Sequence, residues 1–289
     1  MAKIHVLGGN GYVGALLVNY LRSAGHVVEI ASYRLPDVPS KSIIADIVIY
    51  LAASGGGSKF KPRNGWNDHS KMHNENINGM KSLLFAIANK HTKIIFISSS
   101  AVYGKFQEPP LLDENATLKP VSVYGRHKVE SENILRDSDF DWLILRPCSI
   151  FGPSVNGRFG NSFHNVVIAN AIQAGQITIM GGDQNIDTLY IIDFIRIILR
   201  SCDDEWYSRE TFNVSGEITT VENMINVLGE TIQNLGVTCK IFKNDYSNQP
   251  SVLIDTSKLK ESFPGWDTTP LDCAMHSLVA AHLQCYNPD

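Results

Sequence analysis

The sequence predicts an α/β fold built on a doubly wound parallel sheet, with a smaller α/β region toward the carboxyl terminus. Short apolar runs of strand length alternate with helical or loop segments through about residue 150: KIHVL, VVEIAS, DIVIYLA, KIIFIS and DWLILRPC. After Gly152 this alternation breaks into loops, helices and isolated strands. We therefore predict two regions, residues 1–152 and residues 153–289.

The first strand leads into a glycine turn and a helix. Gly8, Gly11 and Gly14 follow the strand at three-residue spacing. The helix after them repeats apolar positions at helical period: Val13, Leu16, Leu17, Tyr20, Leu21 and Ala24. Unpaired N–H groups and the dipole at a helix start attract negative charge, and glycines let a phosphate come close. The turn therefore predicts a site for the pyrophosphate of a dinucleotide.

A second signal is the segment SVYGRHKVESENILR, which reads as a helix carrying Tyr124 and Lys128. Residues spaced i,i+4 project from one helix face, so we expect the phenol and the ammonium to be neighbours. A nearby cation favours the phenolate, so we expect the pKa of Tyr124 to fall below the usual value of about 10. With the hydroxyls of Ser98-Ser99-Ser100 upstream, the pattern indicates acid/base work in carbonyl or alcohol redox chemistry.

Composition excludes several classes of protein. The net charge is −4 without a basic cluster, so we expect no nucleic-acid partner. No apolar run approaches the ~20 residues of a membrane helix, and the chain enters a strand at once, so we expect a cytoplasmic protein without a membrane partner. The five cysteines show no disulfide or metal-ligand spacing, and His69 and His73 are interpreted as surface residues, so no metal site is expected.

Together these elements resemble the extended short-chain dehydrogenase/reductase family, in its NAD(P)-dependent nucleotide-sugar epimerase/dehydratase/reductase branch. The resemblance covers most of the chain. It includes the glycine turn, the Tyr/Lys pair, LAA at 51–53, NING at 76–79, FISSSAVYG at 96–104 and LRPCSIFGP at 145–153. It implies that residues 1–152 form a Rossmann-type cofactor domain. Residues 153–289 would form most of a substrate-binding cap, with segments around 187–215 returning to the cofactor domain.

The resemblance also implies site residues. Tyr124 would be the acid/base group, Ser99 would hydrogen-bond the sugar oxygen, and Lys128 would hold the cofactor ribose and stabilise the phenolate. The implied cofactor residues are Gly8, Asn10, Gly11, Tyr12, Val13, Ser32, Arg34, Leu51, Ala52, Ala53, Asn76, Ser98, Tyr124, Lys128 and Pro147. The implied substrate residues are Ser99, Ser100, Tyr124, Arg158 and Asn161.

One departure from the family pattern concerns the cofactor. NAD-specific members commonly end the second strand with an acidic residue that binds the ribose, whereas this chain has Ser32, followed by Arg34. Arg34 can make charge-assisted hydrogen bonds to a 2′-phosphate, so NADP(H) is favoured, with NAD(H) as the alternative. The chain reaches the DIVIYLAA strand soon after Arg34, so we expect the usual third strand and its helix to be truncated.

Two further departures limit the reaction and the substrate. Ser100 and Ala101 stand where dehydratases carry an acidic pair, so water elimination is not expected. Ile186 and Gln249 stand where relatives that bind diphosphate sugars have arginines, and Arg158 is a candidate replacement. We still expect a sugar, favouring a nucleotide-linked one, as the substrate.

The sequence therefore predicts an NAD(P)-dependent sugar oxidoreductase, with reduction of a 4-keto sugar nucleotide as the first interpretation. The first alternative is an NAD-dependent nucleotide-sugar 4-epimerase. The second is a non-catalytic NAD(P)-binding regulator or scaffold, which has no need for Ser99, Tyr124 and Lys128 together. A homodimer is the candidate assembly.

Overall fold

The computed structural model describes residues 1–38, 42–52, 69–153, 155, 159–160, 162–203, 208–244 and 250–286. The first region contains β1 (Lys3–Leu7), α1 (Tyr12–Ser23), β2 (Val27–Ile30), β3 (Ile47–Tyr50), α2 (His69–His73), a π-helical turn (Asn74–Asn78), α3 (Gly79–Ala86), β4 (Lys93–Ile97), a 3₁₀ turn (Ser100–Val102), β5 (Leu111–Leu112), α4 (Val123–Arg136) and β6 (Asp141–Pro147).

The first region ends with β7 (Ile150–Phe151). The second region contains α5 (Phe163–Ala174), β8 (Gln176–Met180), β9 (Asn185–Asp187), β10 (Leu189–Tyr190), α6 (Ile191–Asp203), β11 (Glu210–Val214), β12 (Ile218–Thr220), α7 (Val221–Asn234), β13 (Lys240–Asn244), β14 (Leu253–Ile254), α8 (Ser257–Ser262) and α9 (Leu271–Tyr286). No helix among the described residues is long and apolar enough to span a bilayer.

Six strands form one parallel sheet in the order β2-β1-β3-β4-β6-β11, which confirms the predicted fold class. The chain crosses to one side of β1 to form β2 and to the other side to form β3 and the strands after it. This reversal opens a crevice at the carboxyl ends of β1 and β3, where ligands bind in sheets of this kind. Among the described residues, no strand pairs with the outer edge of β2.

Helices cover both faces of the sheet. Helices α1 and α6 share one apolar cluster with the sheet, and α3 and α4 share the other. The buried stripe of α1 runs through Gly14, Leu17, Val18 and Leu21, whereas Tyr20 is 38% exposed. Glycine is required at position 14, because a Cβ there would lie 2.1 Å from the Gly8 carbonyl oxygen.

The second region has its own apolar cluster, built from α5, α7, α9 and β8. Short strand pairs join its segments: β13 with β8, β12 with β9 and β10 with β7. By contrast, α6 packs in the cluster of α1, and β11 pairs with β6 in the main sheet. The domain boundary at residue 152 stays a prediction.

Candidate active site

A cavity of about 530 Å³ lies at the carboxyl ends of β1, β2 and β3. Eight of the predicted cofactor residues line it: Gly8, Asn10, Gly11, Ser32, Arg34, Leu51, Ala52 and Asn76. Three successive crossings of the sheet therefore bring together residues that are far apart in the sequence. Sequence reasoning missed two polar groups in the same wall, Tyr33 and Glu75.

The glycine turn has the shape that a pyrophosphate requires. Gly8 has a φ of +86°, and a Cβ there would lie 2.9 Å from the Ala52 nitrogen, so only glycine fits. Gly11 precedes α1 without a side-chain cap, and the first turn of α1 carries no acidic residue. The first turn of α1 therefore adds no negative charge at its positive end, and these features fit the diphosphate of a nicotinamide dinucleotide.

Ser99 and Tyr124 meet at the carboxyl end of β4. The Ser99 Oγ caps the 3₁₀ turn by accepting a 3.2 Å hydrogen bond from the Ala101 nitrogen, and it lies close enough to Tyr124 to act on the pKa of the phenol. Helix α4 starts just before Tyr124 because the Ser122 Oγ accepts from the Gly125 nitrogen at 3.0 Å. A Cβ at Gly125 would lie 2.5 Å from the Ala101 oxygen, so this glycine lets α4 approach the turn closely.

Lys128 lies one helical turn beyond Tyr124 and is buried. Its Nζ donates a 2.6 Å hydrogen bond to the Ile97 carbonyl and lies 4.6 Å from the centroid of the Phe96 ring. The same atom is 5.6 Å from the centroid of the Tyr124 ring. Burial lowers the pKa of Lys128 to about 7, against the opposing charge of Glu132.

The prediction that the ammonium lowers the pKa of Tyr124 is wrong in this structure. Burial raises the pKa of Tyr124 to about 12, and the hydrogen bond from Ser99 opposes that rise only in part. The Lys128 head group points to the Ile97 carbonyl, and its own burial disfavours its charge. The phenol is therefore held in its protonated form at neutral pH.

A buried ion pair that sequence reasoning missed lies behind the Tyr/Lys pair. Arg146 donates to Glu132 through Nε at 3.0 Å and through Nη2 at 2.7 Å. Both side chains are buried. Ser98, predicted to line the cofactor, instead donates its hydroxyl to Glu132 at 2.5 Å. The available signal was the position of Glu132, four residues after Lys128 on one helix face.

Tyr12 turns away from the cavity and contacts the second region. Its hydroxyl donates to the Gly152 oxygen at 2.7 Å and accepts from the Asn165 Nδ2 at 3.2 Å. A Cβ at Gly160 would lie 2.7 Å from the Tyr12 ring. The predicted cofactor residue Tyr12 thus connects the start of α1 to α5.

The remaining predicted residues lie elsewhere. Val13 packs against the apolar core, and Pro147 is buried at the end of β6. Ser100 is buried at the start of the 3₁₀ turn. Ile186 packs against the apolar cluster of the second region. Four of the predicted or compared positions lie outside the described residues: Ala53, Arg158, Asn161 and Gln249.

His69 and His73 are exposed, as expected for surface residues. No three His, Cys, Asp or Glu side chains in the described ranges are placed to hold a metal ion. Cys148 is buried, and burial raises the pKa of its thiol, which keeps the reactive thiolate form scarce.

Comparisons with known proteins agree with this geometry. The profile of the NAD dependent epimerase/dehydratase family matches residues 34–215. The chain is 29% identical over 225 residues to an uncharacterized UDP-glucose epimerase of Bacillus subtilis (strain 168), and the match covers 75% of this chain and 67% of that protein.

Two solved structures share the fold. UDP-glucuronic acid 4-epimerase from Bacillus cereus, solved with NAD, superposes with a TM-score of 0.81 at 22% identity and covers 99% of this chain and 100% of its own. RMD from Pseudomonas aeruginosa, solved with NADPH, gives a TM-score of 0.76 at 21% identity, with coverage of 98% and 99%.

Proposed function

The chain belongs to the NAD dependent epimerase/dehydratase family, and on that premise we propose that it catalyses reversible hydride transfer at carbon 4 of a nucleotide-linked sugar. The observation that carries the proposal is the Ser99 hydroxyl close to the Tyr124 phenol, with Lys128 one helical turn beyond, beside a cavity that fits a dinucleotide. Family membership makes the chain an NAD(P)-dependent enzyme, so the non-catalytic alternative is not pursued.

The side chains divide the chemistry among them. A nicotinamide cofactor, when bound, supplies the hydride acceptor and donor. In the reducing direction, Tyr124 as a phenol donates its proton to the developing sugar alkoxide. In the oxidising direction, Tyr124 first passes its proton to the neutral amine of Lys128, and its phenolate then accepts the proton of the sugar hydroxyl. Ser99 hydrogen-bonds the same sugar oxygen. Lys128, whose pKa of about 7 lets it gain or lose a proton near neutral pH, is the group next to Tyr124 through which that proton can be exchanged.

We propose 4-epimerisation as the overall reaction, in place of the 4-keto reduction that the sequence alone favours. The support is the set of relatives: the Bacillus subtilis relative is named a UDP-glucose epimerase, and the Bacillus cereus structure is a UDP-glucuronic acid 4-epimerase. A UDP-linked sugar is accordingly our proposed substrate. Ser100 and Ala101 offer no carboxylate for water elimination.

Reduction of a 4-keto sugar nucleotide is the second candidate, and one observation favours it. Ser32 and Arg34 both line the cofactor cavity, and within the described residues no carboxylate ends β2, so NADP(H) fits the ribose end well. Reduction consumes NADPH, whereas an epimerase returns the hydride to its substrate. The cofactor preference and the reaction type are therefore linked proposals.

One experiment separates the two reactions. The purified protein is incubated with UDP-glucose or UDP-glucuronic acid and NAD⁺, and the sugar configuration is followed by proton NMR. Epimerisation converts the sugar without net change in NADH absorbance. Reduction instead appears as the consumption of one NADPH for each molecule of a supplied UDP-4-keto sugar that is reduced. If both assays stay at the level of the Tyr124→Phe variant, neither proposed reaction is correct.

A further inference from the structure

The wall of the cofactor cavity contains a π-helical turn, Asn74–Asn78, with Asn76 at its centre. Such turns inside helical segments are frequent at functional sites, because the extra residue redirects a side chain. Asn76 is buried, and its side chain meets α4, where its Nδ2 lies 3.2 Å from the Nδ1 of His127. His127 is the residue directly before Lys128.

This contact restricts the protonation state of His127. The amide nitrogen of Asn76 can only donate, so the Nδ1 of His127 must accept and cannot carry a proton. Only a neutral imidazole with its proton on Nε2 meets that condition. His127 is itself buried, so water has little access to replace the bond.

The surroundings of His127 favour the neutral ring. The charged and titratable neighbours come from α2, which supplies His69 and His73, and from α4, which supplies Arg126 and Glu130. The His73 ring packs edge-on at 5.6 Å between centroids. Burial and repulsion by the two histidines and Arg126 outweigh the attraction of Glu130, and they lower the pKa of His127 below its usual value of 6.5.

We propose that His127 is a positioning residue that holds the Asn76 side chain in the wall of the cofactor cavity, and that it does so only as a neutral ring. This inference rests on the cofactor site proposed above. It adds His127, which is not among the residues that line the cavity, together with a condition under which the site is correctly formed.

The expected pH dependence has a definite sign. As pH falls through the pKa of His127, Nδ1 gains a proton and two donors face each other, so Asn76 must rotate or lose this bond. Cofactor affinity is therefore full at neutral pH and falls on the acid side. Loss of one buried hydrogen bond corresponds to a weakening of about 3- to 10-fold.

The test measures dissociation constants for NAD⁺ and NADPH by calorimetry between about pH 5 and pH 8. In the wild type we expect the acid-side loss of affinity. In His127→Gln, the amide oxygen can accept the bond from Asn76 at every pH, so affinity should stay near the neutral wild-type value. Because both proteins are measured with the same cofactor, the titration of the cofactor's own groups affects both pH profiles equally and does not contribute to the difference between them. His127→Leu, which cannot accept, should bind weakly at every pH.

His73→Gln is the matched control, since it removes a repelling neighbour of His127 and leaves both partners of the Asn76–His127 contact in place. It should leave affinity at neutral pH unchanged and move the acid midpoint of the wild-type profile to higher pH. Melting curves at each pH verify that every variant is folded. Should His127→Gln misfold, the His73→Gln shift still decides the question.

Two results overturn the inference while leaving the proposed function intact: parallel pH profiles for wild type and folded His127→Gln, or an unmoved midpoint in His73→Gln. Failure of the wild type to bind either cofactor at any pH is a different outcome. It refutes the proposed function, and the positioning role of His127 with it.

Discussion

At the level of single residues, burial decides the chemistry of the proposed acid/base pair. Tyr124 and Lys128 are adjacent on α4, yet the pKa of the phenol rises to about 12 and that of the ammonium falls to about 7. Each shift favours the uncharged form, as expected where water is excluded. The resting pair is therefore closer to a phenol and an amine than to a phenolate and an ammonium.

Replacing Tyr124 by phenylalanine tests its proposed role. The variant loses only the ionisable oxygen, so we expect kcat to fall by about 10²- to 10⁴-fold, with the fold and the cofactor affinity retained. The measurement is steady-state turnover beside cofactor calorimetry. A variant that keeps more than about a tenth of the wild-type kcat would show that another group carries the proton.

Lys128 should leave a mark on stability as pH changes. Its pKa is about 7 in the folded protein. A lysine in an unfolded chain has a pKa of about 10.4, so between these two values the unfolded chain binds more protons. The free energy of unfolding of the cofactor-free protein should therefore rise with pH through this window, by at most about 1.4 kcal/mol per pH unit. Urea denaturation at a series of pH values measures this slope.

Lys128→Met should flatten that slope, because no proton is then taken up on unfolding at this position. Lys119→Met is the control, since Lys119 is exposed and should leave the slope as it is in the wild type. Equal slopes in wild type and Lys128→Met would mean that Lys128 is charged in the folded protein.

At the level of elements, the end of β2 shapes the ribose side of the cavity. The strand stops at Ile30, and the residues that follow bring Ser32 and Arg34 into the cavity wall. Tyr33, between them, folds back so that its hydroxyl lies 2.8 Å from the Nε2 of His5 on β1, with the two rings stacked. Anchoring Tyr33 to β1 fixes the backbone on either side of it.

Arg34 should therefore control cofactor preference. We expect the wild type to bind NADPH more tightly than NADH, and Arg34→Ala to weaken NADPH by about 10- to 100-fold, since charge-assisted hydrogen bonds contribute about 1.5–3 kcal/mol. Calorimetry with both cofactors measures the effect. Arg22→Ala, at the far end of α1 and not part of the cavity wall, is the control. Equal affinity of the wild type for both cofactors would contradict the preference.

At the level of the whole molecule, Tyr12 ties the cofactor turn to the second region. Its hydroxyl bonds the Gly152 oxygen, at the predicted end of the first region, and the Asn165 amide of α5 in the second region. Asn165 is buried, and its Oδ1 also accepts from the Gly152 nitrogen at 3.5 Å. The glycine turn, the chain crossing after β7 and α5 therefore share one small polar cluster.

Tyr12→Phe should loosen this connection. The variant leaves the Gly152 oxygen and the Asn165 amide without the phenol, and each such loss costs about 1–3 kcal/mol when the group stays buried. We expect a lower free energy of unfolding in urea. We also expect the substitution to raise the dissociation constant of UDP more than that of the cofactor. Tyr20→Phe, on the exposed side of α1, is the control. Unchanged stability would show that water replaces the hydroxyl.

The strand pattern and the motif spacing determined the sheet, the glycine turn and the helix that carries Tyr124 and Lys128. These features depend on local periodicity and on backbone demands such as the positive φ of Gly8, and both are readable along the chain. The residues of the cavity wall from β1, β2 and β3 were predictable for the same reason, because carboxyl ends of parallel strands meet at one edge.

Tertiary structure alone decided the states and the partners of these side chains. The pKa of Tyr124 depends on burial by the surrounding elements, and the pairing of Glu132 with Arg146 joins α4 to β6. Likewise, the contact of Asn76 with His127 exists only because the π-helical turn packs on α4. Spacing along a chain places side chains on a face, whereas solvent exclusion and cross-element contacts, which set charge and orientation, arise only when those faces pack.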